Sequence, residues 1–84
     1  MKRTTRLNGS TEIGRSIDRS LDQYFRKLDG ECASNVYDMV IDHVERALLA
    51  NVMARAQGNQ TQAADMLGVN RNTLRTKLTK HKLL

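Results

Sequence analysis

The chain has 84 residues, a formal net charge of +5 and a single cysteine. A chain of this length buries only about 60% of the surface that its unfolded form exposes, so it forms one domain at most, with a marginal core that a second copy would strengthen. One cysteine excludes a disulfide framework and points to a reducing compartment, and no apolar run reaches the roughly 18 residues of a membrane span.

The positive charge lies at the two ends of the chain. Residues 1–11 carry three basic residues and residues 66–84 carry five, without any acidic residue, whereas residues 12–65 hold six basic and all nine acidic residues. A basic C-terminal segment favours an anionic partner such as nucleic acid. Residues 1–10 lack the apolar segment of a secretory signal, so we expect the chain in the cytoplasm or on the chromosome.

Residues 1–11 are polar and aperiodic, and we interpret them as a flexible basic N-terminal arm. A helix is predicted from Ser10 or Thr11, because apolar residues then recur at intervals of three and four as far as Leu28. It should end before Gly30. The lone thiol, Cys32, falls in the loop that follows and is expected to be a bystander.

A longer helix is predicted over residues 36–56, with Asn35 as its cap and Gly58 as its stop. Its apolar residues cover more than one narrow stripe, which favours packing of both predicted helices against their counterparts in a second subunit. The alternative is a monomeric four-helix domain with this helix at its centre. The predicted dimer interface comprises Ile17, Leu21, Phe25, Val40, Val44, Leu48 and Val52.

Three carboxylates, Asp38, Asp42 and Glu45, share the polar side of this helix. Because no histidine cluster or nucleophile accompanies them, we expect a solvated acidic face directed away from DNA, with His43 as a surface residue. The chain has no Gly-rich phosphate loop, zinc-ligand spacing or catalytic-triad signature. We therefore expect no enzyme activity, no cofactor, no catalytic residue and no metal site.

Residues 59–80 are predicted to form two short helices joined by a tight turn. Asn59 should cap the first helix with Gln62 reaching back to it, and Gly68 should end that helix with a positive φ. Asn70 should cap the second helix, whose apolar residues Leu74 and Leu78 are four apart.

In the first helix Ala63, Ala64 and Leu67 mark the apolar face, and a small residue at 64 permits a close helix crossing. This pattern indicates a helix-turn-helix.

The outer face of the second helix decides between a DNA-binding unit and a purely structural hairpin. Its predicted solvent-facing residues supply guanidinium, amide, hydroxyl and ammonium donors without a carboxylate, which suits base edges and phosphates. A module that docks its basic helix on an acidic protein is the other alternative. The residues on this face are Arg71, Asn72, Thr73, Arg75, Thr76, Thr79 and Lys80.

The segment 58–78, GNQTQAADMLGVNRNTLRTKL, preceded by VYDMVIDHVERALLANVM and SLDQYF, resembles the Fis (factor for inversion stimulation) family over residues 13–84. The resemblance implies an all-α fold, with four helices per subunit in an intertwined homodimer of the nucleoid that binds and bends DNA. It also implies regulation of transcription and site-specific recombination. The C-terminal helices are similar to the DNA-binding domain of NtrC-type activators as well, and a chain beginning at Met1 favours the free-standing form.

By this resemblance, three functional regions are expected: an arm at 1–11, a dimerisation core at 12–57 and a DNA-binding unit at 58–84. The resemblance implies that three residues enter the major groove: Asn70, Arg71 and Arg75. It implies phosphate contacts for Asn59, Thr61, Thr73, Lys77 and Lys80.

Where the chain departs from the family pattern, the expectations change. Gln62, Thr76 and Thr79 replace basic residues common in the family, which predicts fewer phosphate contacts and a shallower salt dependence. The short segment 1–10 is unlike the family's β-hairpin arms, and residues 54–57 differ from the turn that touches RNA polymerase in the family. A recombinase and RNA polymerase are therefore only candidate partners.

Overall fold

The structure is a computed structural model that describes residues 11–84, which form four α-helices. This confirms the predicted all-α class, and the helix ends lie within about one residue of the predicted ones. The predicted arm lies outside the described residues except for Thr11. The helices are α1 Glu12–Leu28, α2 Val36–Arg55, α3 Gln60–Leu67 and α4 Arg71–Lys80.

The chain divides into two compact units, one containing α1 and the other, Asn35–Leu84, containing α2, α3 and α4. Helix α1 begins at the predicted position because Thr11 caps it: the Gly14 N–H donates to Thr11 Oγ1 at 3.1 Å. The helix ends at Asp29, which takes the left-handed conformation. None of the residues of α1 is buried, and Ile13 and Phe25 on its apolar stripe remain about half exposed.

Helix α2 starts after Asn35 as predicted, but the predicted side-chain cap is wrong. Asn35 has a left-handed backbone, with φ 56° and ψ 31°, and its side chain makes no capping bond. A capping side chain reaches the first free N–H groups from the extended conformation, which Asn35 does not adopt. At the other end, the Gly58 N–H donates to Met53 O at 3.0 Å, and the positive φ of Gln57 and Gly58 turns the chain towards α3.

The core of the second unit joins all three of its helices. Three of its buried residues are alanines: Ala63 and Ala64 of α3 are buried, as predicted, and so is Ala56 after α2. Methyl groups at these positions let the helices approach closely. The remaining buried residues are Leu49, Leu74 and Leu78, with Val52, Met53, Leu67 and Leu83 packed around them.

No helix within residues 11–84 has both the length and the apolar character needed to cross a bilayer. In the same part of the chain, no group of three or more His, Cys, Asp or Glu side chains is arranged to hold a metal ion.

Candidate nucleic-acid interface

The turn between α3 and α4 has the geometry of a glycine-ended helix. Gly68 has φ 76° and ψ 30°, and its N–H donates to the carbonyls of Ala64 and Asp65. The Val69 N–H donates to Ala64 O at 3.1 Å, which completes the pattern of bonds that closes many helices before a left-handed residue. The predicted role of Gly68 is therefore confirmed.

Two asparagine side chains begin the two hairpin helices. Asn59 Oδ1 accepts from the Gln62 N–H at 3.0 Å, and Asn70 Oδ1 accepts from the Asn72 N–H at 2.7 Å. Both predicted caps are confirmed. The reciprocal bond from the Gln62 side chain is not what satisfies the Asn59 N–H, because that group donates to Ala56 O at 3.0 Å.

Helix α4 is split into a buried face and an exposed polar face. Leu74 and Leu78 are fully buried and fix the rotation of the helix against α2 and α3. The seven side chains predicted to face solvent, among them Arg71 and Arg75, are all exposed. One of them, Thr79, donates its hydroxyl to Arg75 O at 3.0 Å, so that hydroxyl is engaged by its own helix.

The C-terminal half of α4 lies against carboxylates of α2. Lys77 Nζ donates to Glu45 Oε2 at 2.7 Å, and Lys80 Nζ donates to Asp42 Oδ1 at 3.0 Å. Glu45 Oε1 also lies 2.8 Å from Nε2 of His81, whose side chain is only 7% exposed. The pairs occur in opposite order along the two helices, and they fix the end of α4 beside the middle of α2.

The expectation that all three carboxylates form a solvated face is wrong for Glu45, whereas Asp38 is exposed and Asp42 is half exposed. Asp42 and Glu45 face α4, and the Glu45 side chain is only 17% exposed. Hydrogen bonds from Lys77 and then His81 hold the pKa of Glu45 below its ordinary value. Hydrogen bonding to Asp42 raises the pKa of Lys80.

A family model and several individual proteins are similar to this chain, and all of them concern the same family. Residues 40–81 match the family described as "Bacterial regulatory protein, Fis family". The chain is 61% identical over 72 residues to a protein of Ralstonia nicotianae, provisionally named Fis-like DNA-binding protein, covering 86% of this chain and 94% of that protein. It is 52% identical over 66 residues to DNA-binding protein Fis of Actinobacillus succinogenes, covering 79% of this chain and 67% of that protein.

The chain belongs to the Fis family. A provisionally named Fis-like DNA-binding protein of Neisseria meningitidis serogroup A is also similar, with 51% identity over 73 residues that cover 87% of this chain and 92% of that protein. The residues matched by the family, 40–81, cover most of α2 and all of α3 and α4.

The residues expected from the Fis family to contact DNA all lie in the second unit, on α3, on α4 or at their caps. All eight are exposed except Lys77, which is half-buried. Within residues 11–84, no ion pair involves Arg71 or Arg75, whereas Lys77 and Lys80 each have a carboxylate partner.

Sequence reasoning missed Glu45, Arg46 and His81 as the residues that hold α4 in place in this Fis-family chain. Arg46 Nη1 donates to His81 O at 2.8 Å, which satisfies a free carbonyl at the end of α4. One signal was available: Asp42 and Glu45 are three residues apart, as are Lys77 and Lys80, so opposite charges repeat with equal spacing on two helices.

Proposed function

We propose that this chain binds double-stranded DNA, with α4 entering the major groove. The observation that carries the proposal is the division of α4 into a buried apolar face and an exposed face of donors, on which Arg71 and Arg75 are without carboxylate partners among the described residues. An unpaired guanidinium has no internal bond to break before it meets a base edge or a phosphate. The Ralstonia and Actinobacillus relatives are named for DNA binding, which supports the same conclusion.

The N-cap and the first two turns of α4 supply the proposed base contacts, Asn70, Arg71 and Arg75. Arg71 is the principal reader in this proposal, because a guanidinium donates two parallel bonds to one guanine edge, worth about 1 to 3 kcal/mol of discrimination. Asn70 Oδ1 is occupied as the helix cap, so its amide N–H groups are the donors it offers. Arg75 lies one turn further along the exposed face.

The proposed phosphate contacts surround this reading face and set the register of the protein on the duplex. Asn59 and Thr61 lie at the start of α3, where free backbone N–H groups and the helix dipole also favour an anion. Thr73 is exposed on α4, and Lys77 and Lys80 follow on the same helix.

We propose that the active form is a homodimer. On α2 the side chains of Tyr37, Ile41, Val44 and Leu48 follow one another at intervals of four, three and four, and all four are exposed. This spacing places them on one stripe of the helix. Leu49, one residue on, is turned by about 100° and is buried in the hairpin core.

A second copy of the chain is the occupant that we propose for this stripe, together with the exposed stripe of α1. Of the predicted interface residues, Phe25, Val44 and Leu48 are exposed and Ile17, Leu21 and Val40 are half-buried. Val52 already packs against the hairpin core of its own chain. The functional division into a dimerisation core at 12–57 and a DNA-binding unit at 58–84 is part of this proposal.

A dimer of this kind presents two copies of α4 at a fixed separation. We propose that this separation is shorter than one turn of straight duplex, about 34 Å, so that the DNA bends towards the protein. Sequence preference then arises partly from how easily the central base pairs deform. This activity fits a nucleoid-associated regulator of transcription, and any contact with RNA polymerase or a recombinase would be an addition to it.

A salt titration with two variants tests the DNA-binding proposal. Arg71→Ala should weaken binding to a selected duplex and reduce the preference over a random duplex, by about 10-fold or more, because it removes base contacts. Lys80→Ala should weaken both duplexes alike and flatten the plot of log K against log salt by up to about 0.9. Fluorescence anisotropy at several salt concentrations measures both quantities.

Arg19→Ala is the matched control, because it removes the same side chain from an exposed position of α1. It should leave the preference between the two duplexes unchanged. If the parent ignores duplex DNA, or if Arg71→Ala and Lys80→Ala bind as the parent does, α4 is not the DNA-binding helix.

A further inference from the structure

The two lysines that face α2 are held in different ways. Lys77 bonds to Glu45, whose side chain is 17% exposed and is also in contact with the nearly buried ring of His81. Lys80 bonds to Asp42, and both side chains of that pair are at least half exposed, at 59% and 50%. The first pair is part of a packed network, whereas the second is an open ion pair on the surface.

An open pair of this kind exchanges partners readily. Exposed ion pairs contribute little net free energy, because water solvates both charges well and two flexible side chains must be held in one geometry. The lysine ammonium is a point charge on a flexible stem with three donors, so it can turn from one oxygen anion to another. A carboxylate and a phosphate oxygen are equivalent partners for it in this respect.

The carboxylates of α2 also act on Lys80 as a group. Its pKa is raised first by the bond to Asp42 and further by the charges of Asp42, Glu45 and Asp38. The ammonium therefore stays charged, but the field around it is partly cancelled by acidic side chains of the same chain. A DNA phosphate that approaches Lys80 meets the negative charge of Asp42 beside it.

We propose that Asp42 is an internal competitor for the DNA phosphate at Lys80, and that it lowers the affinity for DNA without changing which sequence is preferred. The inference rests on the proposed DNA-binding function and concerns the regulation of that same site. Phosphate contacts carry no sequence information directly, so a competitor at Lys80 weakens specific and random duplexes by the same factor. Glu45 differs from Asp42, because its network positions Lys77 rather than competing for it.

The competition also changes the salt dependence of binding. The number of counterions that DNA releases depends on how much phosphate charge the protein neutralises. Because the Asp42 carboxylate cancels part of the Lys80 charge, the contact with Lys80 contributes less than its full amount to the slope of log K against log salt. Removal of the Asp42 charge restores the full contribution of Lys80 to this slope.

The test compares the parent, Asp42→Asn, Lys80→Ala and the double variant by fluorescence anisotropy with a selected and a random duplex, over a series of salt concentrations. Asp42→Asn should strengthen binding to both duplexes about 2- to 5-fold at low salt, the range expected for an exposed ion pair, and steepen the salt slope by up to about 0.9. The ratio of the two affinities should not change. In the Lys80→Ala background, Asp42→Asn should have a much smaller effect.

Asp22→Asn is the matched control, since it makes the same change of net charge on the exposed surface of α1. Thermal unfolding followed by circular dichroism confirms that each variant is folded, which is expected because Asp42 is half exposed. Three results would overturn the competition: unchanged affinity of Asp42→Asn, an equal gain in Asp22→Asn, or an effect of Asp42→Asn that persists fully without Lys80. Failure of the parent to bind either duplex would overturn the proposed function itself, and the competition with it.

Discussion

Glu45 links the stability of the second unit to pH. Its carboxylate accepts from Lys77 and meets His81, and these bonds hold its pKa below the ordinary value of 4.5. The folded form therefore binds the proton less tightly than the unfolded form does. The stabilisation is fully present above about pH 4.5 and is lost as the pH falls through the lowered pKa of the folded form.

Glu45→Gln should reduce the free energy of unfolding by about 1 to 2 kcal/mol at neutral pH, because it weakens charge-assisted bonds. The difference between parent and variant should shrink as the pH falls below 4.5, the ordinary value for this carboxyl. Chemical denaturation at a series of pH values measures it, and Glu31→Gln in the exposed loop serves as control. A difference that is the same at pH 3 and pH 7 would show that the charge of Glu45 is not involved.

Substitutions at Gly68 test whether the turn between α3 and α4 requires a residue that tolerates a positive φ. An added Cβ would meet no atom within 4 Å, so any cost comes from the backbone φ of 76° and not from crowding. Gly68→Ala should lower the free energy of unfolding by about 1 kcal/mol, whereas Gly68→Asn should cost less, because asparagine tolerates the left-handed conformation better. Equal stability of all three proteins would contradict the role of φ at this turn.

At the scale of the elements, the buried face of α4 orients the exposed one. Leu74 is fully buried, so Leu74→Ala should destabilise the fold by about 2 to 5 kcal/mol, through lost burial and a cavity. Thr76→Ala changes an exposed residue of the same helix and should have little effect. Urea denaturation of both variants measures the contrast, and similar losses for the two would mean that the helix is not oriented as described.

Most of the element structure follows from local patterns. Apolar spacing and the capping residues Asn59 and Asn70 are properties of a few neighbouring residues, and they predict where the hairpin helices begin to within about one residue. The capping prediction that was wrong for α2 has a different origin. The cap at Asn35 failed because its backbone conformation is left-handed, which its residue type permits but does not require.

The carboxylates of α2 could not be assigned a partner from periodicity. A helical pattern shows which residues share a face, but it does not show what packs against that face. Asp42 and Lys80 are 38 positions apart, and Glu45 and Lys77 are 32 apart, so their pairing depends on how the helices cross. The exposed donors of α4 were correctly predicted because exposure follows from the same local spacing that buries Leu74 and Leu78.

At the scale of the whole molecule, the exposed stripe of α2 is the basis of the proposed dimer. Leu48→Asp would place a charge on that stripe, where burial against a second copy would cost several kcal/mol. Sedimentation velocity should show the parent with the mass of two chains and the variant shifted towards one. Ala50→Asp puts the same charge on an exposed residue about 160° around the helix from the stripe and should sediment as the parent does. Identical sedimentation of both variants would remove α2 from the interface.

The central claim is that two copies of the chain hold their α4 helices at a spacing that only bent duplex DNA can meet. The most direct test is energy transfer between dyes at the two ends of a selected duplex as the protein is added. We predict that transfer rises and reaches its plateau at two chains per duplex, with Arg71→Ala shifted to higher concentration. Binding without any rise in transfer, or a plateau at one chain per duplex, would contradict the claim.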